Sequence, residues 1–140
     1  MKPEFTVAPV RSRIDSPIHI TASGLAPGER VTIRTKVMDG ALREWESLAV
    51  VDADDVGAVD LSRMAPLEGS TYRGVDGEGP LWSMQGPDQS KFFTRNLPIE
   101  LEYHSELCRG DRVIASTRFR RHFGDGVTWG QVHEPPVIGT

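Results

Sequence analysis

Ser83 is the first side chain to consider as a nucleophile, because it lies in an apolar stretch bounded by Gly and Pro, GPLWSMQGP. The nucleophile elbow of a serine hydrolase places Gly two residues before and two residues after the serine. Here those two positions hold Leu81 and Gln85. The stretch therefore predicts a loop serine that hydrogen-bonds to the backbone rather than a catalyst.

Cys108 is the single cysteine of the chain, so an internal disulfide is excluded. As a nucleophile it would need a neighbouring base, and His104 precedes it by four residues. A spacing of four residues makes two side chains neighbours on a helix. On a strand the two side chains share one face, but another residue of that face lies between them. A structural thiol is the favoured interpretation.

No pattern typical of a metal or cofactor site is present. The histidines are scattered through the chain, at His19, His104, His122 and His133. Asp52, Asp54 and Asp55 resemble the start of a calcium loop, but the fifth and twelfth positions hold Val56 and Arg63 instead of oxygen ligands. We therefore expect a turn with solvated carboxylates, no metal and no cofactor.

One basic cluster, Arg118 to His122, could bind an anion. On a strand Arg118 and Arg120 share a face, which is also typical of a solvated outer face or of an edge strand protected by charge. Salt bridges to a neighbouring domain or an anionic ligand are the other interpretations. Because the net charge is −4, we exclude nucleic acid as the main partner.

The elements that position these residues are short strands with period-two alternation of apolar side chains. Residues 62–89 instead form a long irregular segment rich in Gly and Pro, and Pro27-Gly28 suits the centre of a type II turn. The pattern predicts an all-β, immunoglobulin-like β-sandwich of about seven antiparallel strands. The predicted strands are residues 18–22, 31–37, 45–51, 58–61, 99–103, 113–120 and 127–132.

The length of 140 residues corresponds to about one domain. No apolar run is long enough to span a membrane, and the N-terminus has no apolar signal segment. Together with the single cysteine, these features predict a cytoplasmic protein with no membrane partner.

Three segments in order carry a family resemblance: Ile14–Asp39, Trp45–Met84 and Pro135–Thr140. Their most specific motifs are GLAPGERVTIR, DLSRMAPLEGSTY and GPLWSM. The chain resembles the N-terminal domain of the acyl-CoA thioesterase / bile acid-CoA:amino acid N-acyltransferase family over nearly its whole length.

The resemblance implies an immunoglobulin-like domain followed by an α/β-hydrolase domain with a Ser or Cys nucleophile, an Asp and a His. None of these three residues has a counterpart in this chain, so no catalytic residue is predicted. We expect residues 1–134 to form the N-terminal domain. We expect residues 135–140 to be a linker and the start of a hydrolase domain that is missing here.

Two functions remain open. In the first, the chain is a non-catalytic domain that packs on the hydrolase domain of the same protein and shapes its active-site mouth. Acyl-CoA would be the substrate of the full-length protein, and Leu81, Trp82 and Met84 would form the inter-domain contact, or would instead seal their own sandwich. In the second, the chain is a stand-alone binding or adhesion module with Trp45, Trp82 or Trp129 as its platform.

Overall fold

The computed structural model describes residues 2–86 and 100–122. They form eight strands and one helical turn. In chain order the elements are β1 (Glu4–Ala8), β2 (Arg11–Arg13), β3 (His19–Ser23), β4 (Arg30–Met38), β5 (Glu44–Asp52), β6 (Val59–Asp60), α1 (Gly79–Trp82), β7 (Glu100–Arg109) and β8 (Arg112–His122).

The strands form two sheets, one in the order β1-β3-β6 and one in the order β2-β8-β7-β4-β5. These orders match the two layers of an immunoglobulin-like sandwich, so the predicted fold is confirmed. The prediction of antiparallel strands throughout is wrong in one place, because β2 pairs with β8 in parallel. After β1 the chain crosses to the second sheet and runs beside β8 in the same direction.

The core lies between the sheets and is formed by strands in which buried residues alternate with more exposed ones. Along β4 and β5, alternate residues are buried from one end of each strand to the other. Val31, Ile33 and Val37 point inward, as their spacing predicted, and Thr35 is buried with them. The Thr35 hydroxyl compensates for this burial by sharing a hydrogen bond of 2.9 Å with the Ser105 hydroxyl on β7.

Several boundaries differ from the predicted ones. β7 continues to Arg109, well beyond the predicted end at residue 103, because it pairs with β4 on one side and β8 on the other. β1 and β2 were not predicted at all. β2 has the sequence Arg-Ser-Arg and carries no apolar pattern, so only its pairing with β8 makes it a strand. The strand predicted at residues 127–132 lies outside the described residues.

The irregular segment after β6 covers the outer edge of β5, which would otherwise expose unpaired backbone groups. Gln85 exchanges two backbone hydrogen bonds with Glu46, of 2.9 and 3.1 Å. Farther along the edge, Thr71 donates its amide to the Leu48 carbonyl at 2.9 Å. The Ser70 hydroxyl accepts from the Val50 amide at 2.8 Å. This segment is thereby held along the sheet although it forms no regular strand.

Candidate docking groove

The stretch predicted as a loop contains one helical turn. Pro80 lies at the start of α1, where its fixed φ and missing N–H are tolerated. Asp76 holds the turn from the N-terminal side, since its Oδ1 accepts the Glu78 amide at 2.9 Å and its carbonyl accepts the Gly79 amide at 2.9 Å. The turn closes with the Ser83 amide donating to the Gly79 carbonyl at 3.0 Å.

The three predicted contact residues of this turn do not all point the same way. Leu81 and Met84 are partly buried and pack against the core of their own sandwich. Trp82 is 61% exposed. Leu81 and Met84 therefore close the end of their own core, whereas Trp82 faces outward.

Trp82 is exposed and yet held in one orientation. Its indole Nε1 donates to Asp76 Oδ2 at 2.8 Å. Its ring meets Tyr72 edge to face, with the ring centroids 6.2 Å apart and the planes at 66°. Asp76 thus fixes the backbone of α1 with one carboxylate oxygen and the indole with the other. An aromatic side chain fixed in this way loses little further conformational entropy when a partner covers it.

Trp82 stands at one wall of a groove of about 380 Å³, at the end of the sandwich where β4 and β8 finish and β5 and β7 begin. Most of its lining is apolar or aromatic. The lining residues are Ile14, Val37, Trp45, Leu81, Trp82, Met84, Leu101, Tyr103, Glu78 and Arg121. All three predicted contact residues therefore lie in one cavity, where the described residues also contribute one carboxylate and one guanidinium.

Trp45, which the sequence offered as an exposed platform, is only 8% exposed and forms a fixed wall of the groove. Its indole Nε1 donates to Asp39 Oδ2 at 3.0 Å. The same carboxylate accepts two bonds from the Arg43 guanidinium, at 2.9 and 3.1 Å. Trp129, the third candidate for a platform, lies outside the described residues.

The two glycines of GPLWSMQG give space to these aromatic rings. A Cβ on Gly79 would lie inside van der Waals contact with the Tyr72 ring, and a Cβ on Gly86 would overlap the Trp45 ring. In the sequence, these glycines indicate only turns. Their second role depends on residues far away in the chain, so no local pattern could have indicated it.

The candidate nucleophiles occupy structural positions. The Ser83 hydroxyl shares a hydrogen bond of 2.7 Å with the Thr71 hydroxyl, rather than with the backbone as expected. Cys108 is buried, and burial raises the pKa of its thiol, which disfavours the reactive thiolate.

The acidic turn is also built from local contacts. Asp52 pairs with Arg30 at 2.8 Å, and the Arg30 hydrogen bond lowers the pKa of that carboxyl. Asp54 Oδ1 accepts the amides of Val56 and Ala58 at 3.0 and 2.9 Å. Within residues 2–86 and 100–122, no group of three or more possible ligands could hold a metal ion.

The basic cluster is divided between the two faces of β8. Arg118 and Arg120 are exposed on the outer face, where Arg120 lies 3.7 Å from Glu102 on β7. Arg121 points inward, is 4% exposed and lines the groove. A single phosphate held by Arg118, Arg120 and Arg121 together is therefore excluded by the alternation of the strand.

The two tyrosines of the chain give a prediction about pH. Both are buried, and burial raises the pKa of each to about 12 from 10.0. Between these values the unfolded chain has lost its tyrosine protons and the folded chain retains them, so the free energy of unfolding falls as the pH rises. Tyrosinate absorbance should titrate near 12 in the folded chain and near 10 in denaturant.

Tyr103 stacks on Phe119, with centroids 4.9 Å apart, so Tyr103→Phe keeps the packing and is the matched variant for this titration. It should remove one of the two titrating groups and reduce the loss of stability at alkaline pH. A native titration of either tyrosine near its ordinary value would contradict the burial described here.

Comparisons with known proteins identify the family of this chain. Residues 15–134 match the family model described as the acyl-CoA thioester hydrolase/BAAT N-terminal region. Human bile acid-CoA:amino acid N-acyltransferase is 30% identical to 97% of this chain, which covers 35% of that protein. Mouse acyl-coenzyme A thioesterase 3 is 37% identical to 90% of the chain, which covers 31% of its length.

Mouse peroxisomal succinyl-coenzyme A thioesterase is 33% identical to 93% of the chain, which covers 32% of that relative. The chain thus spans about a third of the length of these curated relatives. No helix in the described part of the chain is long and apolar enough to cross a membrane. The family match covers most of the chain and agrees with the observed sandwich, so the chain belongs to the acyl-CoA thioester hydrolase/BAAT N-terminal region family.

Proposed function

We propose that this chain is the non-catalytic N-terminal domain of an acyl-CoA thioester hydrolase or acyl-CoA:amino acid N-acyltransferase. In the full-length protein it packs on a C-terminal α/β-hydrolase domain and shapes the mouth of its active site, and acyl-CoA is the substrate of that second domain. The names of the relatives support this reaction class, and their greater length supports a further domain.

The observation that carries the proposal is the exposed and fixed indole of Trp82. Side chains that dominate a protein interface are often Trp residues in preformed positions at its centre. Leu81 and Met84 lie beside it in the groove.

In the full-length protein, Trp82→Ala should weaken inter-domain docking by about 2 kcal/mol or more, as is typical of an interface hot spot. Thermal unfolding and acyl-CoA hydrolysis would measure the loss. In the 140-residue chain the same substitution removes an exposed ring, so the unfolding midpoint should change much less. Trp82→Phe keeps an aromatic ring without the Asp76 hydrogen bond and should give an intermediate result.

Val56→Ala is the matched control, because Val56 is 76% exposed in the turn that follows β5, beyond the end of that strand opposite to Trp45 of the groove. It should leave both proteins unchanged. Equal stability and equal activity of the full-length protein with and without the Trp82 ring would reject Trp82 as the docking residue.

The coding sequence beyond Thr140 distinguishes this proposal from the alternative of a stand-alone binding module. A continuation that encodes a Gly-x-Ser/Cys-x-Gly elbow supports the hydrolase partner, and a stop codon supports the module. A cytoplasmic location belongs to the same proposal. Cell fractionation tests it, since the names of two relatives contain the words mitochondrial and peroxisomal.

A further inference from the structure

The outer edge of β5 is closed by hydrogen bonds, although β5 is the last strand of its sheet in the described part of the chain. Every second residue of an antiparallel strand directs its N–H and C=O groups to the same side. On the side of β5 that faces away from β4, these residues are Glu46, Leu48 and Val50. Both backbone groups of each residue have a partner. Gln85 bonds to Glu46, and residues 67–71, here called the strap, bond to the other two.

Two side-chain hydroxyls of the strap take the acceptor positions that the carbonyls of a neighbouring strand would take. Thr71 Oγ1 accepts the Leu48 amide at 3.1 Å, while the Thr71 amide donates to the Leu48 carbonyl at 2.9 Å. The Ser70 hydroxyl accepts the Val50 amide at 2.8 Å, and the Leu67 amide donates to the Val50 carbonyl at 2.7 Å. An irregular segment thus satisfies two residues of β5 in the way that a strand would.

The strap is held in this position by a turn at its start and by a contact at its end. The turn is closed by the Ser70 amide, which donates to the Leu67 carbonyl at 3.2 Å. Gly69 has a φ of 99°, a positive value that favours glycine at the third position of such a turn. At the end of the strap, the Thr71 hydroxyl shares a hydrogen bond with Ser83, which is only 7% exposed. The serine of GPLWSM thereby orients one of the two hydroxyls.

A β5 edge without the strap would be self-complementary. It would present N–H donors and C=O acceptors in alternation, and such an edge is a template for pairing with another chain. Two copies of one strand can pair antiparallel about a two-fold axis, because each donor then meets an acceptor of the other copy. With the axis at Leu48, Glu46 of one copy lies opposite Val50 of its partner. No like charges therefore face each other in these central pairs.

We propose that the strap masks this edge, and that its release allows two copies of the chain to join their five-stranded sheets through β5. The Ser70 and Thr71 hydroxyls keep the strap closed, and Ser83 positions the second of them. The partner is a second copy of this chain, because the two-fold arrangement opposes no like charges and every molecule in the solution carries the same edge. The inference does not rest on the proposed function, since all these contacts of the strap lie within this chain.

Amide hydrogen exchange of the 140-residue chain, followed by NMR, tests whether the hydroxyls keep the edge closed. In the double variant Ser70→Ala/Thr71→Val, the Leu48 and Val50 amides should exchange about tenfold faster, because each loses its hydroxyl acceptor. Thr71→Ser retains both hydroxyls and is the matched control, so both amides should exchange as in the parent chain. Ser83→Ala should give an intermediate rate for the Leu48 amide alone.

Sedimentation equilibrium over a wide range of protein concentration tests the partner. The mass of the double variant should double relative to the parent chain as the concentration rises, whereas Thr71→Ser should behave like the parent. Adding Leu48→Lys to the double variant should abolish the doubling. In the two-fold pair this substitution places two positive charges directly opposite each other, which is destabilising.

If the circular dichroism spectrum shows that the double variant does not fold, Ser70→Ala alone carries the same test through the Val50 amide and the mass. Unchanged exchange would show that the strap stays closed without its hydroxyls, and it would overturn the inference. Faster exchange without any doubling of the mass would reject the second copy as the partner. A doubling that persists with Leu48→Lys would place the contact on another surface and would reject the β5 edge.

Discussion

Replacing Asp39 with alanine should lower the free energy of unfolding of this chain by about 3 kcal/mol, the upper end of the range for leaving a buried donor without its acceptor, because several donors lose the same acceptor here. The carboxylate is fully buried and lies 2.9 Å from the Arg43 guanidinium. It also accepts the Trp45 indole N–H and the amides of Ala41 and Arg43. Alanine would leave all of these donors without this acceptor.

Asp39→Ala should also loosen the Trp45 side chain in the groove, because Asp39 fixes both the turn from β4 to β5 and the Trp45 indole. Within that turn Leu42 has a φ of 62°, a conformation that a branched side chain adopts only when its surroundings enforce it. Chemical denaturation followed by tryptophan fluorescence measures both the loss of stability and the altered surroundings of the indole.

Asp52→Ala is the matched control for this prediction. Asp52 pairs with Arg30 at the other end of the same two strands, but both side chains are solvent-exposed. Exposed ion pairs contribute little, so this variant should resemble the parent chain. Similar losses for Asp39→Ala and Asp52→Ala would show that burial of the Asp39 network is not what stabilises the turn.

Gly79→Ala should destabilise the chain although alanine is the better helix former. The helical preference would favour alanine by about 1 kcal/mol. The added methyl group overlaps the buried Tyr72 ring, and overpacking of this kind costs about 1–3 kcal/mol. We therefore expect a net loss of stability, together with reorientation of Trp82, which contacts the same ring.

A double-mutant cycle with Tyr72→Ala isolates the clash. Without the Tyr72 ring, Gly79→Ala should become neutral or stabilising, because only the helical preference remains. Denaturant unfolding of the four proteins measures the coupling. The same loss in both backgrounds would attribute the effect to the backbone of α1 instead of to the ring.

Most of the fold could be predicted from local pattern. β4 and β5 alternate buried and half-exposed residues along their whole length, and period two is visible in sequence whenever one face of a strand is buried. The turn at Pro27-Gly28 was also confirmed: the Glu29 amide bonds to the Ala26 carbonyl at 3.0 Å, and Gly28 has a φ of 75°. β2 could not be predicted, since its only support is a partner strand more than a hundred residues away.

The groove was not predicted from the sequence. The apolar content of GPLWSM indicated an inter-domain contact of Leu81, Trp82 and Met84, which stays a prediction, and the structure shows that all three line one cavity. The sequence did not single out Asp39, Asp76, Glu78 or Tyr72. Each acts through a hydrogen bond or ring contact whose partner is set by the folded chain. Arg121 was seen as one member of a basic cluster, although strand alternation already separates it from Arg118 and Arg120.

The sandwich, the family and the absence of an elbow around Ser83 can be read from the amino-acid sequence, because they depend on periodicity and on motifs of consecutive residues. The directions in which the side chains of α1 point depend instead on contacts that form when the chain folds. A single helical turn has no period from which a buried face can be read. Trp82 faces outward because Asp76 and Tyr72 hold it there, whereas Leu81 and Met84 pack against the core that the two sheets leave open at this end.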